Sequence, residues 1–269
     1  MAPIRIEAAD DPRIEPYRDI RERDLVGRQG RFVAEGEVVL RAAIRAGRRF
    51  ESLLLAEKRV AGLATVIDAL PPETPVYTAD QAVLDSIAGF HLHRGVLGMG
   101  LRGAAPDPDA LLAGLPAPAL AVGLSAIANH DNMGGLFRNA AAFGVRAVVL
   151  DHACCDPLYR KAIRTSVGAA LIVPFVRLEK GTDMVGLFAR HGFETLSLSP
   201  AGAEALATLT PPARAAVLFG AEGPGLAPGL LARTRTVSIP MAGGFDSLNV
   251  ATTAGIVLHH LAAGAKSAP

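Results

Sequence analysis

The chain has 269 residues, of which 50% are hydrophobic, and a formal net charge of +1. Its apolar residues come in short blocks, and no run approaches the roughly 20 residues that a membrane-spanning helix requires. The first eleven residues lack the apolar stretch of a signal peptide, so we expect a cytoplasmic protein of one large or two modest domains.

The first hundred residues predict a small α/β domain. Apolar periodicity indicates helices at 12–28, 37–46 and 80–87, and short apolar runs indicate strands at 31–34, 52–55, 75–77 and 94–101. Residues 1–50 contain eleven arginines and no lysine, against nine carboxylates. Arg28 and Arg31 belong to this set. The arginine fork suits phosphates, but a solvated helical face with mixed ion pairs explains the same pattern.

A break in composition follows this domain. Residues 102–118 contain four prolines, and we place a linker at 104–117 between a domain at 1–103 and another at 118–269. Gly98, Gly100 and Gly103 form a GxGxxG pattern just before it. The dinucleotide-binding fingerprint needs a helix directly after this pattern. A proline-rich stretch follows instead, so we interpret these glycines as an exit into the linker.

The second part alternates between strands and helices. Continuous apolar runs predict strands at 119–124, 147–150, 172–176, 195–198, 216–219 and 237–239, with helices at 136–143, 158–167, 184–191 and 248–261. This alternation predicts a doubly wound, mostly parallel sheet. Cys154 and Cys155 are the only cysteines, and we expect both to be reduced structural thiols.

Three segments with chemistry-bearing residues follow predicted strands, where open α/β sheets place their ligands. The first carries Asn132, Gly134 and Arg138 at the start of a helix that we expect to begin near Met133. Such an arginine can hold a phosphate or orient a hydroxyl, or it can simply be a solvated helix residue.

The second segment runs from Gly220 to Leu226 and holds three glycines around a single carboxylate, Glu222. The third runs from Ile239 to Val250. In it a strand ends at Pro240, and we expect Asp246 or Ser247 to cap the last helix. Taken singly, each segment also fits an ordinary strand-to-helix loop.

Together, the three segments resemble motifs one, two and three of the SpoU (TrmH-like) RNA ribose methyltransferases, of the SPOUT class. Asn132-x-Gly134-x-x-x-Arg138 matches motif one, Gly220-x-Glu222-Gly223-x-Gly225-Leu226 matches motif two, and Ile239-Pro240-Met241 with Ser247-Leu248-Asn249-Val250 matches motif three. The intervening residues 156–169, which include Arg164, also look like the corresponding family segment. His130 departs from the pattern, because many members have Pro or Gly there.

The resemblance implies an α/β fold with a trefoil knot in the second domain and a ribosomal-protein-like RNA-binding domain before it. It implies S-adenosylmethionine as the cofactor, no metal, and a homodimer. The substrate would be a ribose 2′-hydroxyl, in rRNA first and in tRNA as the alternative. The implied cofactor-binding residues are Leu198, Gly220, Gly223, Ile239, Met241 and Leu248. The implied catalytic residues are Arg138, Glu222, Ser247 and Asn249, and the RNA-binding candidates are Asn132, Arg28, Arg31 and Arg164.

Within this interpretation, Arg138 orients the RNA phosphate and lowers the pKa of the hydroxyl, because a guanidinium stays protonated and makes a poor base. Glu222 orients Arg138 or accepts the proton. Two alternatives stay open at this point. A non-catalytic RNA-binding protein predicts decayed cofactor loops, and a nicotinamide-dependent oxidoreductase predicts a glycine-rich first βα turn with an acidic residue about 20 positions later.

Overall fold

The structure is a computed structural model, and it describes residues 3–18, 20, 22–88, 95–243, 245 and 247–266. The chain divides into two compact units. The first comprises Met1–Gly103 together with Asp156–Ile172, and the second comprises Ala104–Cys155 together with Val173–Pro269.

The described residues form twelve strands, eleven α-helices and four short 3-10 helices. The strands are β1 (Ile4–Arg5), β2 (Arg31–Glu35), β3 (Phe50–Ala56), β4 (Val76–Ala79), β5 (Val96–Leu101), β6 (Ala119–Leu124), β7 (Ala147–Leu150), β8 (Phe175–Arg177), β9 (Glu194–Leu198), β10 (Glu204–Ala205), β11 (Arg214–Phe219) and β12 (Arg235–Ser238). The α-helices are α1 (Glu22–Gly27), α2 (Glu37–Arg45), α3 (Ala64–Asp68), α4 (Gln81–Ala88), α5 (Pro108–Ala113), α6 (His130–Ala142), α7 (Arg160–Thr165), α8 (Ala169–Ile172), α9 (Met184–Arg190), α10 (Pro228–Leu231) and α11 (Val250–Lys266). The 3-10 helices are Pro12–Tyr17, Glu57–Arg59, Ala61–Leu63 and Leu206–Thr208.

The first unit is built on a mixed sheet of five strands in the order β1-β4-β3-β5-β2. Its parallel pairs are β1 with β4 and β3 with β4, whereas β5 runs antiparallel to both β2 and β3. Gly98 and Gly100 lie within β5, not in a phosphate-binding loop. A Cβ at Gly98 would lie 2.7 Å from the ring of Phe50, and one at Gly100 would overlap the ring of Phe32. The two glycines therefore make room for aromatic packing.

The segment 156–172 is joined to the rest of the first unit by polar contacts. Asp156 accepts a hydrogen bond from Arg102 at 2.7 Å, and Arg160 forms an ion pair with Glu35 at 3.6 Å. The sequence places this segment in the second domain, and residues 104–117 in a linker. The structure differs on both points, because 156–172 belongs to the first unit and α5, capped by Asp107, belongs to the second.

The second unit is built on seven strands in the order β10-β12-β9-β11-β6-β7-β8, and all of their pairings are parallel. Its central strands are buried along their length, as the continuous apolar runs predict. Because the strands are parallel, their carboxyl ends meet at one edge of the sheet. The loops after β9, β11 and β12 come together there.

Three predicted elements differ most from the structure, and several others differ by a few residues at their ends. Residues 12–28 form a 3-10 helix and α1 instead of one helix, because Pro12 and Pro16 lack the N–H groups that a continuous helix needs. The strand expected at 172–176 begins only at Phe175, after Pro174, and its first residue ends α8. The helix expected at 136–143 begins at His130, because Asn129 caps it with hydrogen bonds from the N–H groups of Asp131 and Asn132.

Candidate functional site

A cavity of about 540 Å³ lies at the carboxyl ends of β9, β11 and β12 in the second unit. All six residues that the motifs assign to the cofactor line this cavity. They are Leu198, Gly220, Gly223, Ile239, Met241 and Leu248. Three of the four expected catalytic residues, Glu222, Ser247 and Asn249, line it as well. The order of parallel strands thus brings together motifs that are far apart in sequence.

The turn after β11 forms one wall of the cavity. Gly225 N–H donates to the carbonyl of Ala221 at 3.0 Å, which closes the turn on itself. A Cβ at Gly220 would overlap the backbone at Gly225, and Gly223 and Gly225 have φ values of 83° and 67°. Only glycine allows the close backbone approach and adopts the positive φ values at low energetic cost. The turn therefore has a fixed shape and presents Glu222 to the cavity.

Ile239 and Met241, together with the run Ser247–Asn249, form another wall. Asn249 caps α11, because its Oδ1 accepts hydrogen bonds from the N–H groups of Ala251 at 2.9 Å and Thr252 at 3.2 Å. The sequence predicts a cap at Asp246 or Ser247. Asp246 and Gly244 lie outside the described residues, and Ser247 lines the cavity ahead of the helix. Capping by Asn249 holds its amide group at the cavity edge.

Asn132, Glu222 and Asn249 form a hydrogen-bond network beside the cavity. Asn132 Nδ2 donates to Glu222 Oε1. Asn249 Nδ2 donates to Asn132 Oδ1 at 2.8 Å and reaches Glu222 Oε1 at 3.4 Å. Asn132 is 6% exposed, so its side chain serves the network and is not open to a ligand. One residue from each motif takes part, although the sequence indicated no direct link among them.

The network depends on a close crossing of α6 and α11. A Cβ at Gly135 would lie 2.6 Å from Ala251 Cβ, so only glycine fits there without a shift. Asn139 Nδ2 donates to the carbonyl of Ala251 at 2.6 Å. The sequence indicates close backbone approach at Gly134 and Gly135, whereas Asn139 was not singled out and the crossing with α11 was not predicted. The spacing of Gly135 and Asn139 from Asn132, at i+3 and i+7 on one helical face, is the signal that could have indicated this crossing.

Arg138 lies on α6 but is exposed and does not line the cavity. It has no hydrogen bond or ion pair with any residue that the structure describes. The structure thus brings Glu222 together with Asn132 and Asn249, and not with Arg138.

The remaining RNA-binding candidates lie in the first unit. Arg28 forms an ion pair with Asp24 at 3.1 Å, and Arg31 forms one with Glu51 at 2.6 Å. Arg164 is exposed in the last turn of α7. The two arginines at the start of the chain are therefore partly neutralised.

The described residues carry no group of three or more His, Cys, Asp or Glu side chains that is arranged to hold a metal ion. None of the described helices has the length and apolar character needed to cross a membrane. Neither Cys154 nor Cys155 forms a disulfide bond. Burial raises the pKa of Cys154 to about 12, and the nearby carboxylate of Asp151 contributes. This agrees with a structural thiol.

Comparison with known proteins matches residues 119–259 to the model of the SpoU rRNA Methylase family. The chain is 38% identical over 274 residues to an uncharacterized tRNA/rRNA methyltransferase of Mycobacterium tuberculosis, covering 95% of this chain and 92% of the relative. It is 28% identical to a protein of the same description from Synechocystis, covering 94% and 92%.

The fold is similar to solved structures. An AdoMet-bound rRNA methyltransferase from Sinorhizobium meliloti has a TM-score of 0.80 at 21% identity, over 96% of this chain and 97% of that one. The SpoU methyltransferase AviRb from Streptomyces viridochromogenes, in complex with the cofactor AdoMet, has a TM-score of 0.80 at 22% identity, over 96% and 100%.

Proposed function

The chain belongs to the SpoU rRNA Methylase family and is an RNA methyltransferase, and we propose that it transfers a methyl group from S-adenosylmethionine to a ribose 2′-hydroxyl. The observation that carries this proposal is the 540 Å³ cavity, whose lining contains all six expected cofactor residues. We name rRNA as the first substrate class and tRNA as the alternative. The solved relative from Sinorhizobium meliloti is described as an rRNA methyltransferase, and the mycobacterial relative as a tRNA/rRNA methyltransferase.

The residues present fit S-adenosylmethionine. The cavity size falls in the usual range for small-molecule sites, about 300–1,000 Å³. Leu198, Ile239 and Leu248 supply apolar surface for the adenine, and backbone groups at Gly220 and Met241 supply polar partners. Glu222 is the one charged side chain on the lining among the described residues. Its negative charge favours a cationic ligand.

Bound S-adenosylmethionine would supply an electrophilic methyl group on a sulfonium. We assign Glu222 as the group that accepts the proton of the ribose hydroxyl. Its Oε1 is held by Asn132 and Asn249, which leaves Oε2 for the hydroxyl. Asn132, expected from the sequence to bind RNA, is assigned here as a positioning residue for Glu222. Ser247, on the same cavity wall, would position the ribose.

Arg138 is assigned to the RNA phosphate next to the reacting ribose. Its guanidinium is exposed, and its positive charge would favour ionisation of the hydroxyl. Arg28, Arg31 and Arg164 are assigned to the RNA backbone further away. The guanidinium of Arg164 has no hydrogen-bond or ion-pair partner among the described residues, which supports this assignment. Arg28 and Arg31 would exchange their ion pairs with carboxylates for contacts with phosphates.

We also propose a homodimer and a trefoil knot. An apolar groove of about 590 Å³ runs along α11 and is lined by Leu206, Leu209, Ile256 and His259, among others. Ile256 is 40% exposed, which supports burial of this face against a second copy. The proposal of a knot rests on membership of the SpoU rRNA Methylase family.

Equilibrium dialysis tests the proposal against both alternatives. Binding of S-adenosylmethionine without binding of NAD is expected. Binding of NAD alone would favour an oxidoreductase, and binding of neither would favour a non-catalytic RNA-binding protein. The matched variant is Gly220→Ala, whose added Cβ would overlap the turn that forms the cavity wall. We expect it to bind S-adenosylmethionine much more weakly than the unaltered protein.

A further inference from the structure

In the first unit, α8 lies along α2. A Cβ built at Gly168, just before α8, would lie 3.0 Å from Ala42 Cβ and 3.5 Å from Val39 Cα. Further along, Arg48 Nε donates to the carbonyl of Leu171 at 2.8 Å. The two helices therefore lie side by side, with a seam between them.

Three large apolar side chains are exposed along this seam. Val38 is 55% exposed, Val167 is 39% exposed and Ile172 is 49% exposed. Single exposed apolar residues are ordinary, but a cluster of them indicates a binding surface. We call Val38, Arg45, Val167 and Ile172, with the flanking Arg164, the α2–α8 surface.

The strained backbone conformation of Val167 points to a functional role for its side chain. Val167 has φ = +55°, in the left-handed region, where a β-branched residue is an outlier. Its N–H donates to Arg164 O at 3.0 Å, and Gly168 N–H donates to Ile163 O at 2.9 Å. These bonds end α7 in a way that suits glycine at both positions. The valine side chain is exposed, so core packing does not explain it, and strain of this kind is typical of functional sites.

The α2–α8 surface carries positively charged side chains that are exposed to solvent. Arg45, at the end of α2, and Arg164, at the end of α7, are both exposed. Neither guanidinium has a hydrogen bond or ion pair with a residue that the structure describes. By contrast, Arg41 is engaged by Glu37, and Arg160 is engaged by Glu35. Val167 follows the end of α7, and the hydrogen bond from its N–H to the carbonyl of Arg164 keeps the two residues next to each other.

We propose that the α2–α8 surface binds unpaired nucleotides of the RNA substrate, an inference that rests on the proposed function for the identity of the partner. Arg45 and Arg164 contact phosphates, because arginine is a common partner of phosphate oxygens. Val38, Val167 and Ile172 lie against base faces. Bases are accessible in this way only where the RNA is single-stranded, since paired bases are stacked within the helix.

The test measures RNA binding by the full-length protein without cofactor. Fluorescence anisotropy is recorded with a single-stranded RNA of about 20 nucleotides, longer than a typical single-strand site, and with a duplex of the same length. The variants are Val167→Gly, the pair Val38→Ser with Ile172→Ser, and Arg45→Gln. The matched control is Ile4→Ser on β1, because Ile4 is 39% exposed and lies in the same unit.

We expect Val167→Gly to melt at an equal or higher temperature, because glycine relieves the strained backbone, and yet to bind single-stranded RNA several-fold more weakly. Combining it with the Val38 and Ile172 changes should weaken binding about tenfold and affect the duplex less. Arg45→Gln should lower the slope of log K against log salt by about 0.7. Ile4→Ser should match the unaltered protein.

Unchanged single-strand affinity in the combined variant would overturn the proposal. So would a complete lack of RNA binding by the unaltered protein at low salt. Light scattering that shows loss of a dimer with no loss of RNA affinity would instead assign the surface to a second copy. S-adenosylmethionine binding is measured on the same samples. Its absence alongside surface-dependent RNA binding would contradict only the proposed function.

Discussion

Replacing Gly135 with alanine tests the link between helix packing and the catalytic network. In the structure, the new Cβ would lie 2.6 Å from Ala251 Cβ. Carbon atoms in contact prefer separations of about 3.5–4.0 Å, so α11 must move away from α6 by roughly 1 Å. Asn249 caps α11 and would move with it.

The expected cost to stability is modest, and the cost to activity is large. Overpacking of this kind costs about 1–3 kcal/mol, and the better helix propensity of alanine returns up to about 1 kcal/mol. A net loss of about 0–3 kcal/mol leaves a typical domain folded. The hydrogen bond from Asn249 to Asn132, 2.8 Å long in the structure, would stretch to nearly 4 Å and be lost. We therefore expect kcat for methyl transfer to fall at least about tenfold.

Denaturant unfolding and methyl-transfer kinetics measure the two effects separately. Gly229→Ala in α10 is the matched control, because a Cβ there has no neighbour within 4 Å. It should leave transfer unchanged. The double variant Gly135→Ala with Ala251→Gly removes the clash from the other side and should recover most of the activity. Full activity in Gly135→Ala, or no recovery in the double variant, would refute the argument that this crossing holds the network in place.

Three further predictions concern individual side chains. Arg138→Ala should abolish transfer while leaving the dissociation constant for S-adenosylmethionine nearly unchanged, and equal loss of both in parallel assays would contradict its role at the RNA. Glu222→Gln should lower kcat about a hundredfold or more, because it removes the proton acceptor, and should weaken cofactor binding to a smaller extent, because it removes the negative charge on the cavity lining; near-normal kcat would assign the proton-accepting role elsewhere. Burial alone would raise the pKa of Asp151, but hydrogen bonds from Ala126 N–H and the Ser125 hydroxyl outweigh it and lower the pKa. The ionised Asp151 carboxylate therefore stabilises the fold at neutral pH, and this stabilisation is lost as the pH falls below about 4. The free energy of unfolding of Asp151→Asn should consequently depend less on pH in the acid range. The same pH profile in the variant and the unaltered protein would count against this.

Most elements of the second unit could be predicted from the sequence, because the patterns that indicate them lie within short stretches of the chain. Continuous apolar runs mark buried parallel strands, and β6 and β7 were predicted with the bounds that the structure gives them. Five of the six expected cofactor residues, all of which line the cavity, could be named because they fall within recognisable motifs; Leu198 lies outside the motifs, at the end of β9. The same reasoning rejected the GxGxxG pattern, and the structure gives Gly98 and Gly100 a packing role in β5.

What the sequence could not supply is which side chains meet. The bond between Asn132 and Glu222 joins residues 90 positions apart, and no local pattern encodes it. The membership of 156–172 in the first unit depends on long-range contacts such as Arg102 with Asp156. The start of α6 was missed because its first turn, His130 to Asn132, lacks apolar periodicity and depends on the cap at Asn129.

The most direct test of the central claim is transfer of tritium from labelled S-adenosylmethionine into rRNA and tRNA from cells that lack this protein. The account predicts label in one fraction, retained after alkaline hydrolysis in a dinucleotide, because a methylated 2′-hydroxyl cannot attack the adjacent phosphate. Label released in mononucleotides would mean base methylation and would contradict the ribose assignment. Absence of label together with absence of cofactor binding would contradict the assignment of methyltransferase activity.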